Sequence, residues 1–117
     1  MNLLKYDKKT SEVNEEAVTK FNSKKTVIRR LITNEDGKTS FSTRRFEVLP
    51  GGQIGLHNHP EDHHFYILHG ESDFVNADGK KTRVMSGDVI YMPFNEYHGI
   101  INEGNEPFVF ICVIPIR

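Results

Sequence analysis

Cysteine is almost absent from this chain. Cys112 stands alone, which excludes an internal disulfide framework and fits a reducing cytoplasm, the expected location. An excess of one charge is lacking too: fifteen basic residues face sixteen acidic ones. The charges are scattered, and Lys24-Lys25 and Arg29-Arg30 are too short to form the basic stripe that a nucleic-acid partner needs. No apolar run approaches the ~20 residues of a membrane span, and Met1 to Tyr6 lacks a signal-peptide core. Neither nucleic acid nor membrane is therefore expected as a partner. Internal repeats and long linkers are missing as well, so the 117 residues read as one domain. We expect a polar lead-in over residues 1–24, with one helical turn through Ala17 and Phe21, and the domain proper over 25–117.

Beyond residue 24 helix signals vanish and strand signals take over. Thr26 to Ile32 is rich in β-branched residues and stops at Asn34-Glu35-Asp36-Gly37. Phe41 to Leu49 is expected to end at Pro50-Gly51-Gly52. Phe65 to Leu68 precedes Gly70, and Ser72 to Val75 runs into an Asp78-Gly79 turn. Val89 to Met92 stops at Pro93, and Phe108 to Ile114 at Pro115. Short β-prone runs broken roughly every 8 to 12 residues by Gly, Pro, Asn and Asp indicate an all-β antiparallel sandwich or barrel.

Five of the six histidines lie between His57 and His69. Strand side chains alternate faces, so His57 and His59, two apart, project to one side. A tight turn after Pro60 returns the chain, and His63 then shares an inward face with Phe65 and Ile67. His64, Tyr66 and Leu68 point outward. Three imidazoles over an apolar wall form a metal pocket, because without a metal their buried nitrogens would compete for partners. His64 and His69 read as surface residues.

A second block, Gly87 to Asn102, places His98 at the start of a strand after a Pro-containing turn. Together the two blocks resemble the cupin family. Gly51, His57, His59, His63 and Gly70 fall on its first motif, and Gly87, Pro93, His98 and Asn102 on its second. Asn95 replaces a customary glycine, and asparagine tolerates the left-handed backbone. His63 stands where most metal cupins carry a glutamate, as in small single-domain cupins that hold their metal with four histidines. The resemblance covers residues 40 to 115. It implies a jelly-roll barrel with little or no helix, a metal held by His57, His59, His63 and His98, and a homodimer. The strand from Lys25 to Thr33 either joins the partner's sheet or edges its own barrel.

Nitrogen ligands suit one divalent transition metal per chain, manganese or iron first, with nickel, zinc and cobalt as alternatives, and argue against calcium and magnesium. Parity places Phe108, Phe110, Cys112 and Ile114 on one face of the last strand and Ile100 on the side of His98. Adjacent arginines cannot share a face, and Arg44 is assigned inward with Phe46 and Val48. Arg44, Ile100, Phe110 and Cys112 are thus the expected substrate contacts. Arg44 either anchors an anionic substrate or pairs with Glu61 or Asp62 at the barrel mouth. Cys112 is by default a small buried hydrophobe, and no residue is assigned as a catalytic acid or base. The expected function is an oxygen-dependent, dioxygenase-like metalloenzyme acting on a small anionic or phenolic molecule. A redox-neutral isomerase, lyase or decarboxylase and a non-catalytic small-molecule-binding module are the alternatives.

Overall fold

Aromatic and β-branched runs dominate the chain after residue 24, and in the computed structural model each becomes a strand. The structure describes residues 8–116, so Met1 to Asp7 of the lead-in and Arg117 lie outside the described residues. Among the described residues nine strands follow in order: β1 (Glu16–Ala17), β2 (Lys24–Ile32), β3 (Phe41–His57), β4 (His63–His69), β5 (Glu71–Val75), β6 (Lys81–Met85), β7 (Val89–Met92), β8 (His98–Ile101) and β9 (Phe108–Pro115). All pairings are antiparallel. The strand order is β6-β5-β8-β3-β9-β4-β7, with β2 also paired to β3 and β1 to β2. Among the described residues there is no α-helix, only two 3-10 turns.

β3 is the element that curls the sheet. Pro50-Gly51 does not end it, contrary to expectation; the strand runs on for 17 residues. Gly51 adopts φ +81°, which turns the strand at mid-length. Phe41 to Val48 pair with β9, whereas Gln53 to His57 pair with β8. Asn102 braces the bend. Its buried Nδ2 donates to the carbonyls of Val48 and Glu106, both at 2.9 Å, and its backbone exchanges bonds with Gly51 and Gly52. β6 was not foreseen from the sequence. It is a polar edge strand with one buried residue, Val84, so no alternation betrays it.

Side-chain parity follows the expected pattern. Along β4, His63, Phe65 and Ile67 are buried while His64, Tyr66 and Leu68 are exposed. On β9, Phe108, Phe110 and Cys112 are buried and belong to the core with Phe46, Val48 and Ile100, although Val109 on the other face is buried too and Ile114 is only half-buried. Each of these large apolar side chains contributes about 1.5–3 kcal/mol by leaving water.

The lead-in differs from the single helical turn expected. Ala17 lies in β1, paired with Val27, and Phe21 in a 3-10 turn, Lys20–Asn22. Phe21 and Asn22 both have positive φ (57° and 60°), so the chain cannot propagate as a helix there. β2 pairs with β3 of its own chain.

Candidate metal centre

Three separate stretches of chain bring the histidines together. His57 ends β3 and pairs in register with His98, the first residue of β8. His63 opens β4. His59 lies beyond the end of β3, so the two-residue strand spacing invoked for it is not what positions it. Its loop is tied to the one before β8 instead: Asn95 N–H donates to the His59 carbonyl at 3.0 Å, and Asn58 Nδ2 donates to the Asn95 carbonyl. Asn95 is left-handed there (φ 57°), as its place in the second motif suggested.

One ring nitrogen from each of His57, His59 and His98 lies within 4.8 Å of the other two. The His63 ring centroid is 4.7 Å from that of His59 and 4.8 Å from that of His98. His64 and His69 face solvent; His64 packs edge-on against Tyr91, and His69 lies near Glu106.

Hydrogen bonds set the chemistry of these rings. His57 Nδ1 donates to the Gly55 carbonyl (2.7 Å), His59 Nδ1 to that of Glu61 (2.9 Å) and His98 Nδ1 to that of Glu96 (2.8 Å). A carbonyl oxygen only accepts, so Nδ1 carries the hydrogen and Nε2 is left with a free lone pair. Burial, reinforced by neighbouring histidines and Arg44, pushes His63 down to about 3. Burial likewise pushes His98 down to about 4 and lowers His57, even though the backbone bond of each works the other way. His57, His63 and His98 are therefore neutral near pH 7, the form a metal needs. His63 Nε2 is buried without a hydrogen-bond partner. An orphaned imidazole nitrogen beside three lone pairs fits a borderline transition metal and suits calcium or magnesium poorly.

The cluster opens into a cavity of about 420 Å³. All four expected substrate contacts line it: Arg44, Ile100, Phe110 and Cys112. Arg44 Nη2 donates to Cys112 Sγ at 3.1 Å, its guanidinium lies 5.1 Å from the Phe46 ring centre, and its Nε is buried without a partner. Cys112, fully buried, also touches His63 Nδ1 at 3.2 Å, a polar role beyond the small hydrophobe assumed for it. Burial raises its thiol pKa, against the opposing pull of Arg44.

Sequence reasoning missed one wall entirely. Glu16 to Phe21 of the lead-in line the cavity, and Phe21 stacks on His57 with ring centroids 4.2 Å apart and planes 4° from parallel. A signal was present in Gly55: a Cβ there would lie 1.6 Å from the Phe21 carbonyl oxygen, so only glycine admits the crossing chain. Two acidic residues, Glu16 and Glu61, are also among those lining the cavity. Glu16 pairs with Arg30 at 3.1 Å, and Glu61 lies 3.5 Å from His59 Nδ1.

Comparison with known proteins places this geometry in context. A family model described as "Cupin domain" matches residues 44–114. The polyketide cyclase RemF from Streptomyces resistomycificus superposes with TM-score 0.89 and 31% identity, covering 95% of this chain and 79% of that one. The oxalate-binding protein of Thermotoga maritima is 38% identical over 60% of this chain and 58% of its own length. Gentisate 1,2-dioxygenase of a Ralstonia species is 32% identical over 59% of this chain, only 19% of its own length. The chain thus spans little more than half of the first of these curated relatives and a fifth of the second.

Proposed function

From the premise that the chain belongs to the cupin family, we propose that it is a metal-dependent enzyme acting on a small anionic or phenolic molecule. The observation that carries the reading is the convergence of His57, His59 and His98, each with its Nδ1 spent on a backbone carbonyl, on the floor of a cavity that Arg44 also lines. His57, His59, His63 and His98 would hold one divalent transition metal. Once bound, it would polarise a substrate oxygen as a Lewis acid and stabilise an enolate or phenolate. Arg44 has a buried, unpartnered Nε to offer a carboxylate or similar anion. Ile100 and Phe110 exclude water and favour a flat or apolar substrate body.

Redox-neutral chemistry is the reading we place first. From the sequence alone a general base was wanting, and this had favoured an oxygen-dependent enzyme. Glu61 and Glu16 now stand on the cavity wall as candidates for moving a proton. Similarity to a polyketide cyclase over nearly the whole chain supports the same choice. An oxygen-dependent reaction is the second reading, supported by the similarity to gentisate 1,2-dioxygenase.

The test is elemental analysis of untagged protein purified without added metal or chelator, followed by turnover of a panel of catechols, diketones and keto acids with and without air. About one transition metal per chain and turnover that survives anaerobiosis would sustain the first reading. Turnover only in air would select the second. A protein that binds panel members tightly but never converts them would be a binding module instead.

A further inference from the structure

The four histidines are not equivalent, and the difference lies in what holds Nδ1. In His57, His59 and His98 it is a carbonyl, which admits one tautomer only. In His63 it is Cys112 Sγ, 3.2 Å away, and a thiol is both donor and acceptor. If the thiol donates to Nδ1, the ring hydrogen sits on Nε2, and that nitrogen has no lone pair for a metal. If Nδ1–H donates to sulfur, Nε2 is free to bind. Arg44 biases this choice: its Nη2–H already takes sulfur electron density at 3.1 Å, which makes sulfur a poorer acceptor and the thiol a better donor. Geometry agrees. The three nitrogens within 4.8 Å of one another belong to the carbonyl-held rings, and His63 is not among them, although its buried Nε2 has no other partner.

We infer that His57, His59 and His98 form a preset three-nitrogen site, and that His63 is a conditional fourth ligand whose tautomer is governed by Cys112. This rests on the metal reading above. When His63 joins the metal, the hydrogen on Nε2 leaves to solvent and Nδ1 takes one from solvent. The thiol keeps its hydrogen and turns it away, so the protein's charge does not change. Cys112 is in these terms a positioning residue: its effect on the metal site is exerted through His63. An anion drawing Arg44 away from sulfur would favour the ligating tautomer, so filling the cavity and completing the metal shell would assist each other.

Zinc, which is diamagnetic, serves as the probe, with ring ¹⁵N chemical shifts as the readout. In the metal-free protein His57, His59 and His98 should carry hydrogen on Nδ1 and His63 on Nε2; zinc should convert His63 to the Nδ1–H form. Finding His63 already in the Nδ1–H form without metal would overturn the inference. By titration, His63→Ala should weaken zinc binding by about 10- to 100-fold, the range typical of supporting groups, with His57→Ala, His59→Ala and His98→Ala each losing more. An equal loss in all four would also overturn it. Cys112→Ala removes the donor that holds the non-ligating tautomer and should tighten zinc binding, Cys112→Ser should restore the wild-type affinity, and neither change should matter in a His63→Ala background. An effect of Cys112→Ala that persists without His63 would make the thiol merely structural. Failure of the wild type to bind zinc would remove the metal reading itself, whereas the metal-free tautomers judge the division among the histidines independently.

Discussion

At the scale of single residues, the candidate centre depends on imidazoles kept neutral and oriented. Replacing His57 or His98 with alanine should bring bound metal well below one per chain, whereas His64→Ala, on the outer face of β4, should leave it unchanged. Elemental analysis of the purified variants reads this directly. If His64→Ala were the one to strip the metal, the parity of β4 would be wrong by a residue. Acid should act on the same groups. His63 and His98 titrate at about 3 and about 4 in the folded protein, chiefly because they are buried, against roughly 6.5 in an unfolded chain. Between these values the unfolded state binds protons that the folded state refuses, so folding loses stability as pH falls. The contribution is complete above about pH 6.5 and is lost progressively towards pH 4 and then 3. Urea midpoints of the metal-free protein should therefore fall steadily from pH 7 to pH 4; a flat profile would mean that these rings are hydrated.

At the scale of elements, the crossing of the lead-in over β3 is the local device most exposed to test. Gly55 admits the Phe21 carbonyl, Gln53 Nε2 donates to the Asn22 carbonyl, and Gly55 N–H donates to Ser23 Oγ. Phe21, Asn22 and Lys25 all hold positive φ, a conformation that costs about 1–3 kcal/mol where the backbone is strained. Gly55→Ala should push this segment away from the cavity without dismantling the barrel. Faster tryptic cleavage after Lys20 or Lys24, with little change in thermal midpoint, is the expected result. Gly70→Ala offers the contrast. Its φ is +79° and an added Cβ would lie 2.4 Å from the Pro107 carbonyl oxygen, so the strain falls within the barrel and the thermal midpoint itself should drop.

At the scale of the whole molecule, a metal bound across β3, β4 and β8 would join strands that are distant in sequence. Binding to the folded state alone stabilises by mass action, about 4 kcal/mol at a thousandfold excess over the dissociation constant. For a domain of this size that is on the order of ten degrees in thermal midpoint. Differential scanning calorimetry with and without added metal should show a rise of that order in the wild type and a much smaller one in His98→Ala. The homodimer remains a proposal, and the outer face of β4 and β7 offers it a surface. Tyr66 lies opposite Val89 and His64 opposite Tyr91, with Val89 70% exposed. Light scattering should return twice the chain mass, and Val89→Glu should return the monomer. No helix among the described residues is long and apolar enough to cross a membrane.

Much of this was legible in the sequence because it depends on local periodicity. Alternation along β4 and β9 settles which side chains face inward whatever the sheet does around them, and it placed His63, Phe110 and Cys112 correctly. The two histidine blocks likewise announced a common cavity. What alternation cannot convey is pairing between distant segments. Pro50-Gly51 reads as a stop, yet Gly51 bonds to Asn102 and passes the strand from one neighbour to the other. Glu16 to Phe21 read as a polar lead-in, yet β1 pairs with β2 and lays Phe21 on His57. The sequence by itself determined the strand faces and the inward arginine, through the alternation of an extended chain, and pointed to the four candidate ligands through the resemblance of its two histidine blocks to cupin motifs. Only the tertiary structure decided which group holds each Nδ1 and what closes the cavity, because those contacts join residues that no local pattern relates.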